Sequence, residues 1–286
     1  MQTKNHTLPT IALLTDFGLT DSYVGVMKGV ILSICPIARL IDVTHAITPQ
    51  NVRQGAYVLL NTLGYMPPQT VYVGVVDPGV GSARQSVAIK TNRAVFVGPD
   101  NGLFSYALKH CEIQEMVILQ NPQYLLATIS STFHGRDIFS PVAAHIACGV
   151  PLDQLGPSLT KLEALPPPRL EITPQAIYGE VLDIDHFGNV ATSIGRLTWG
   201  NNDLLALVPF FDPQPEPTLM IEPERCTVQI NHRMIDIVGL TFASVPRGEL
   251  IALINSADQL EIAINHGNAA HELGVQIGDP VILSIN

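Results

Sequence analysis

Three consecutive prolines, Pro166-Pro167-Pro168, separate two stretches of chain whose apolar residues recur in different ways. Upstream, residues 10–150 alternate short β-branched runs with amphipathic stretches, the punctuation of βα units. Strands are predicted over Thr10–Leu14, Arg39–Val43, Thr70–Val76, Ser86–Lys90, Ala94–Val97 and Gln114–Leu119, with helices from about Ser22 to Ile34 and near 50–63, 102–110 and 137–148. Asp21 is placed to cap the first of these helices, and Thr48-Pro49 to start the second, a capping oxygen followed by a proline whose missing N–H costs nothing there. Downstream, Ala176–Ile194, Leu204–Pro209, Cys226–Ile230, Met234–Val238, Leu250–Ile254, Leu260–Ile264 and Pro280–Ile285 read as short strands between turns. The simplest architecture is α/β: a mostly parallel sheet flanked by helices over 1–157, a stiff Pro-rich linker over 158–174, and a small β-barrel-like or sandwich domain over 175–286.

Ligands of such sheets sit beyond the carboxyl ends of the strands. Asp16, Asp77 and Asp100 each lie just past a predicted strand, so three acidic groups are expected to converge on one rim. The 25 acidic residues outnumber the 15 basic ones, which argues against a broad face for nucleic acid or for anionic membranes. With 47% apolar and only 14% charged residues, the chain is expected to bury much of its surface, within domains or between subunits. Cys35, Cys111, Cys148 and Cys226 are scattered without a Cys-x-x-Cys pair, so buried free thiols are expected rather than a zinc knuckle or a disulfide framework. Met1–Pro9 has no apolar core of the length a secretory signal needs, and no later run suits a membrane span, so a cytoplasmic protein is expected.

Chemistry concentrates in three short segments. Val76-Asp77-Pro78-Gly79-Val80-Gly81-Ser82-Ala83-Arg84 ends an apolar strand in a carboxylate, a turn and a guanidinium, and Thr15-Asp16-Phe17-Gly18 and Phe133-His134-Gly135-Arg136-Asp137 flank it in the chain. An acid, a fixed cation and an imidazole together can orient a water and balance its charge as it loses a proton. Singly, Asp77 before Pro-Gly suits a turn former, Arg84 a surface charge, and His134 a satisfied structural histidine. Gly79-Val80-Gly81 lacks the Gly-Lys-Ser/Thr ending of a phosphate loop and the third glycine of a dinucleotide fingerprint, though its glycines permit a tight turn. Asp-Phe-Gly occurs in kinases too, but no glycine-rich loop, partner lysine or catalytic loop accompanies it here. No His-Glu-x-x-His motif supports a zinc hydrolase. Tyr72 and Tyr106 read as core, and Asp183, two residues before Asp185, as a solvent-facing strand residue.

These three segments, in this order, with Asp185-His186-Phe187-Gly188-Asn189 and Asn255-Ser256 in the last third, resemble the S-adenosylmethionine hydroxide adenosyltransferase family, the adenosine-forming S-adenosylmethionine hydrolases related to the fluorinase and chlorinase. The resemblance implies hydrolysis of S-adenosylmethionine to adenosine and L-methionine by water or hydroxide attack on the ribose 5′ carbon, with no cofactor and no metal. It assigns Asp77, Arg84 and His134 as the catalytic trio, Asp16 to the ribose hydroxyls, Asp185 and Ser256 to the methionine amine and carboxylate, and Asn189 to the adenine edge. Phe242 is a plausible stacking partner for the base, with ordinary core as the alternative. It also implies a homotrimer whose active sites lie between the α/β domain of one subunit and the β-domain of its neighbour. Departures favour hydrolysis over halogenation: Asp77 differs from the halogenating relatives, and Gln50 stands where the fluorinating ones carry tryptophan. Ala257 follows Ser256 where the halogenating enzymes carry an arginine, so part of the carboxylate contact is expected from backbone amides. Two rival readings stand beside it. One is a metal-assisted nucleoside or phosphoester hydrolase using Asp16, Asp77, Asp100 and Asp137 as oxygen ligands. The other is a non-catalytic sensor of an adenosyl ligand.

Overall fold

The N-terminal sheet is parallel where it carries chemistry and antiparallel at one edge. In the computed structural model, which describes residues 8–200, 204–211, 219–236 and 238–285, the chain divides into two units, Met1–Leu165 and Pro166–Asn286. The first runs β1 (Thr10–Thr15), α1 (Tyr23–Ile34), β2 (Arg39–Thr44), α2 (Val52–Thr62), β3 (Thr70–Val75), β4 (Ser86–Thr91), β5 (Ala94–Pro99), α3 (Ser105–Leu108), β6 (Ile113–Ile118) and α4 (Ser140–Ala147). Strand order is β2-β1-β3-β5-β4-β6. The pairings β1 with β2, β1 with β3 and β3 with β5 are parallel, whereas β4 pairs antiparallel with both β5 and β6.

Side chains alternate across each strand, so β1 sends Ile11 and Leu13 to one core and Ala12 and Leu14 to the other. On the first face they meet Met27 and Ile31 of α1 and Val142 of α4; on the second, Leu59 of α2 and Ala107 of α3. Cover on both faces explains why β1 and β3 are continuous buried runs rather than alternating ones. Tyr72 and Tyr106 are core, 1% and 3% exposed. Because β1, β3 and β5 run the same way, the loops after them leave from one edge.

Several local expectations are corrected. Asp21 does not cap α1: Ser22 occupies the N-cap position and makes no side-chain cap bond. Asn51, not Thr48, caps α2, its side chain accepting from the Gln54 N–H at 3.0 Å. The helix predicted near 102–110 is a single turn, α3, and the one near 137–148 begins as a π-helical turn, Gly135–Phe139, before α4. Cys35 and Cys226 are buried, Cys111 is half-buried, but Cys148 is exposed. Residues 158–174 are tied down at both ends: Leu159 and Glu163 donate backbone N–H bonds to Met116 O and Asp100 Oδ1, while Glu171–Ile172 pairs with the strand Ala176–Ile184. Met1–Thr7, and Ile237 within the strand predicted at 234–238, lie outside the described residues. No described helix is long and apolar enough to cross a membrane.

The second unit is a nearly closed, barrel-like and largely antiparallel sheet. Ala176–Ile184 lies between Pro280–Ile285 and Val190–Gly195; Gln259–Ile264 joins the far side of Val190–Gly195, and Cys226–Ile230 joins Pro280–Ile285. The run expected over Ala176–Ile194 is therefore two strands, broken by a turn at 185–189. Val181, Ile194, Val228, Leu260, Ile262 and Val281 fill the interior.

Candidate active site

In the first unit the loop after β3 folds back so that Arg84 grips Asp77. Arg84 Nε donates to Asp77 Oδ1 at 2.9 Å and Oδ2 at 3.0 Å, and Nη2 donates to Oδ2 as well. The same Nη2 meets His134 Nδ1 at 2.7 Å, Nη1 donates to Ser86 Oγ at 2.8 Å and to Gln85 O at 3.4 Å, and the Phe139 ring lies 5.4 Å beneath the guanidinium. The three side chains expected to act together are thus in direct contact. The ion pair is nearly buried, with side-chain exposures of 9% for Arg84 and 5% for Asp77.

These contacts fix the protonation of His134. A guanidinium has donors only, so Nδ1 must accept and the neutral ring carries its proton on Nε2. Burial, and after it the positive charge of Arg84, hold the imidazole below its ordinary value of 6.5, against the opposing pull of Asp77, Asp137 and the Ser130 backbone. The segment carrying His134 is itself braced. Asp137 is fully buried and accepts from Arg136 Nε at 2.6 Å, from Arg136 Nη2 at 3.0 Å and from the Ser130 N–H at 2.8 Å. Gly81, at φ +76°, lets the Asp77 loop approach this segment so closely that a Cβ there would lie 2.4 Å from Ser131 O.

Asp16 enters the same site from the end of β1. Its Oδ2 accepts the Gln50 N–H at 2.8 Å, and Gln50 adopts φ +67°. Asp16, Gln50, Asp77, His134, Phe17 and Phe133 line a cavity of about 410 Å³. Asp100 does not join them, although its strand ends at the same edge. Its Oδ1 accepts the Glu163 N–H at 2.9 Å and burial raises its pKa, while the next residue, Asn101, donates Nδ2 to Val76 O at 2.8 Å and braces the start of the Asp77 loop. Asp137 is likewise spent on Arg136 and Ser130, so the four carboxylates of the metal-hydrolase reading do not assemble. Among the described residues no group of three or more His, Cys, Asp or Glu side chains is arranged to hold a metal ion.

The second unit has its own cavity, of about 910 Å³, lined by all four residues expected there, Asp185, Asn189, Phe242 and Ser256, together with Asn255 and Glu261. Asp185 closes the 185–189 turn: Oδ1 accepts the Phe187 and Asn189 N–H groups at 2.9 and 2.8 Å, and Oδ2 accepts Asn189 Nδ2 at 2.9 Å. The Asn189 side chain is thereby aimed by its neighbour. Phe242 is 45% exposed at the cavity wall rather than core. Asp183 is half-buried rather than solvent-facing, and does not line the cavity. Glu261 went unnoticed in the sequence, where it sits inside an apolar strand pattern. It is 9% exposed, its pKa raised by burial and by the Asp185 charge, and it accepts from Asn255 Nδ2 at 3.1 Å. Ser86 was equally unmarked, since it reads as an ordinary strand residue, while Phe17 and Phe133 stood inside the quoted motifs without a role of their own.

Comparison with known proteins follows the same division. Residues 11–156 match the SAM hydroxide adenosyltransferase N-terminal domain, and residues 179–282 match the SAM hydroxide adenosyltransferase C-terminal domain. A protein of Salinispora arenicola named (R)-S-adenosyl-L-methionine hydrolase is 39% identical over 274 residues, covering 95% of this chain and 96% of its own. A fluorinase of an Actinoplanes species is 30% identical over 216 residues, 66% of this chain and 72% of its own. The crystal structure of an uncharacterized conserved protein from Thermotoga maritima superposes with a TM-score of 0.83 at 36% identity, covering 96% of this chain and 99% of that one.

Proposed function

The chain belongs to the SAM hydroxide adenosyltransferase family, and from that membership we infer that it is an S-adenosylmethionine hydrolase, producing adenosine and L-methionine. The observation that carries the reading to chemistry is the Asp77–Arg84–His134 contact at the wall of a cavity that also contains Asp16. Water attacks the ribose 5′ carbon as the bond from that carbon to sulfur breaks; the bonding pair leaves on sulfur as a neutral thioether, and the water's surplus proton passes to Asp77. The sulfonium is already a good leaving group, so no acid is needed at sulfur.

Free water, with a pKa of about 15.7, is far too weak an acid to be ionised in advance by a carboxylate. Proton transfer is therefore late: water becomes strongly acidic only as its oxygen bonds to carbon, when the Asp77 carboxylate suffices as acceptor. Arg84 has no free N–H to offer the water, because protein acceptors take all five. It is a positioning residue that fixes the Asp77 oxygens and supplies a local positive charge. Neutral His134 completes the arrangement by accepting from Arg84 Nη2 without adding a second cation. Alignment of this kind supplies up to about 7–11 kcal/mol in well-oriented intramolecular reactions.

Asp16 holds the ribose hydroxyls in this reading, Asp185 and Ser256 the methionine amine and carboxylate, Asn189 the adenine edge, and Phe242 stacks on the base. The assembly proposed is the homotrimer implied by the family resemblance, each substrate shared by two subunits, and the compartment is the cytoplasm, where four free thiols are at home. No metal or cofactor takes part. The test is incubation of the purified protein with S-adenosylmethionine, with and without EDTA, followed by chromatography. Equal amounts of adenosine and methionine, unchanged by chelator, are expected. Chelator-sensitive turnover would favour the metal hydrolase, and tight binding without product over hours would favour the sensor.

A further inference from the structure

A second histidine lies behind the site. His45 is 4% exposed, follows β2, and stands between Asp42 and Thr15: Nε2 is 3.1 Å from Asp42 Oδ1 and Nδ1 is 2.9 Å from Thr15 Oγ1. A carboxylate only accepts, so Nε2 donates to Asp42, whose other oxygen is held by Lys28 Nζ at 2.6 Å. The arrangement resembles a nucleophile–imidazole–carboxylate chain, but Thr15 is fully buried and its oxygen also accepts the Phe17 N–H at 3.2 Å, so the hydroxyl cannot meet a substrate. What the chain does reach is the backbone on both sides of Asp16. It holds Thr15 before it and Phe17 after it, and the His45 carbonyl accepts the Gly18 N–H at 2.7 Å.

We propose that His45, anchored by Asp42, is a positioning residue that sets the direction of the Asp16 carboxylate and thereby the selectivity for a ribose bearing free hydroxyls. Two independent ties then fix the carboxylate, the His45 chain acting through its backbone and the Gln50 N–H acting on Oδ2. Oδ1 is left for the ligand. The proposal rests on the reading of Asp16 as the ribose partner, and the experiment separates the two.

The experiment is calorimetric titration of the whole enzyme with adenosine and with 2′,3′-dideoxyadenosine. The wild type is expected to prefer adenosine. His45→Leu is expected to lower that preference about tenfold, the scale of a misdirected hydrogen bond to a charged group, while changing affinity for the dideoxy ligand less than about twofold. His45→Asn keeps a polar group facing Thr15 and should restore most of the preference, which a general loosening of the fold would not allow. Asp42→Ala, at a carboxylate whose side chain is 42% exposed, provides the decisive variant should His45→Leu fail to fold, and should lower the preference in part. A wild type without preference would remove Asp16 as ribose partner and this proposal with it. A wild type with preference, and variants that keep it unchanged or lose affinity for both ligands equally, would overturn the role of His45 alone.

Discussion

Arg84 satisfies each of its five N–H groups within the protein, and in the proposed mechanism this determines how Asp77 and His134 divide the work. If Asp77 is the direct partner of water and Arg84 acts through it, as proposed, Asp77→Asn should lower kcat by about 10²–10⁴-fold, the usual range for a lost general base. Arg84→Lys keeps the charge but not the fork, and should also slow turnover severely, because a point cation cannot hold both oxygens and the imidazole. Steady-state kinetics beside thermal melts check both; a near-wild-type rate in either would remove that residue from the trio. His134 is expected to set the acid limb of the pH profile. Its folded pKa is depressed, so activity should hold through neutrality and below 6.5, then fall when Nδ1 gains a proton and faces the guanidinium as a second cation. The unfolded histidine takes up its proton near 6.5 while the folded one resists, so the same group makes stability fall as pH drops through that value. An activity limb that disappears in His134→Asn identifies the group; one that persists unchanged contradicts the assignment. Of these residues the sequence revealed identity through motif but not role: nothing in it shows that Ser86 and Phe139 complete the seat of Arg84, since a serine at a strand start and a phenylalanine before a helix are unremarkable.

At the scale of elements, the site exists because two loops are pressed together, one after β3 and one before the π-helical turn. Gly81 is the hinge of that approach. Gly81→Ala would place a methyl 2.4 Å from a backbone oxygen at a left-handed φ, so it should destabilise the protein by about 1–3 kcal/mol and lower kcat as the Asp77 and His134 loops separate. Gly149→Ala, also at positive φ but with nothing within 4 Å, is the control: it shares the strain without the collision and should spare kcat. Equal kinetic losses in the two would show that loop approach is not what matters. The strands of the first unit were legible within a residue or two, β1, β3 and β5 because full burial writes them as apolar runs, whereas β2 and β6 at the sheet edges are only partly buried. The start of α2 was not. Thr48-Pro49 is the better local signal, yet Gln50 is held in a strained conformation with its N–H on Asp16, and the helix starts after it at Asn51. Tertiary demand at the site overrode capping preference there, and the direction of β4, fixed by pairing at a distance, left no local mark either.

The molecule as a whole carries half of the proposed substrate recognition in each unit, Asp16 and Asp77 in the first, Asp185, Asn189 and Ser256 in the second. If each active site of a homotrimer takes these halves from neighbouring subunits, Asp77→Asn and Asp185→Ala should be nearly inactive alone and regain roughly a quarter of wild-type activity when co-expressed, the chance that random mixing joins two intact halves in a ring. No recovery in mixed oligomers, or a monomer by light scattering, would contradict shared sites. The change at the prolines announced the two-part organisation, because the apolar pattern differs on either side, whereas the grouping of Asp185 with Glu261 depends on strand register that no local segment encodes. The central claim is that water, directed by Asp77, opens the bond between the ribose 5′ carbon and sulfur. Turnover of S-adenosylmethionine in oxygen-18 water followed by mass spectrometry reads this directly: the account predicts one heavy oxygen in adenosine and none in methionine, and label in a methionine-derived alcohol, or in neither product, would contradict it.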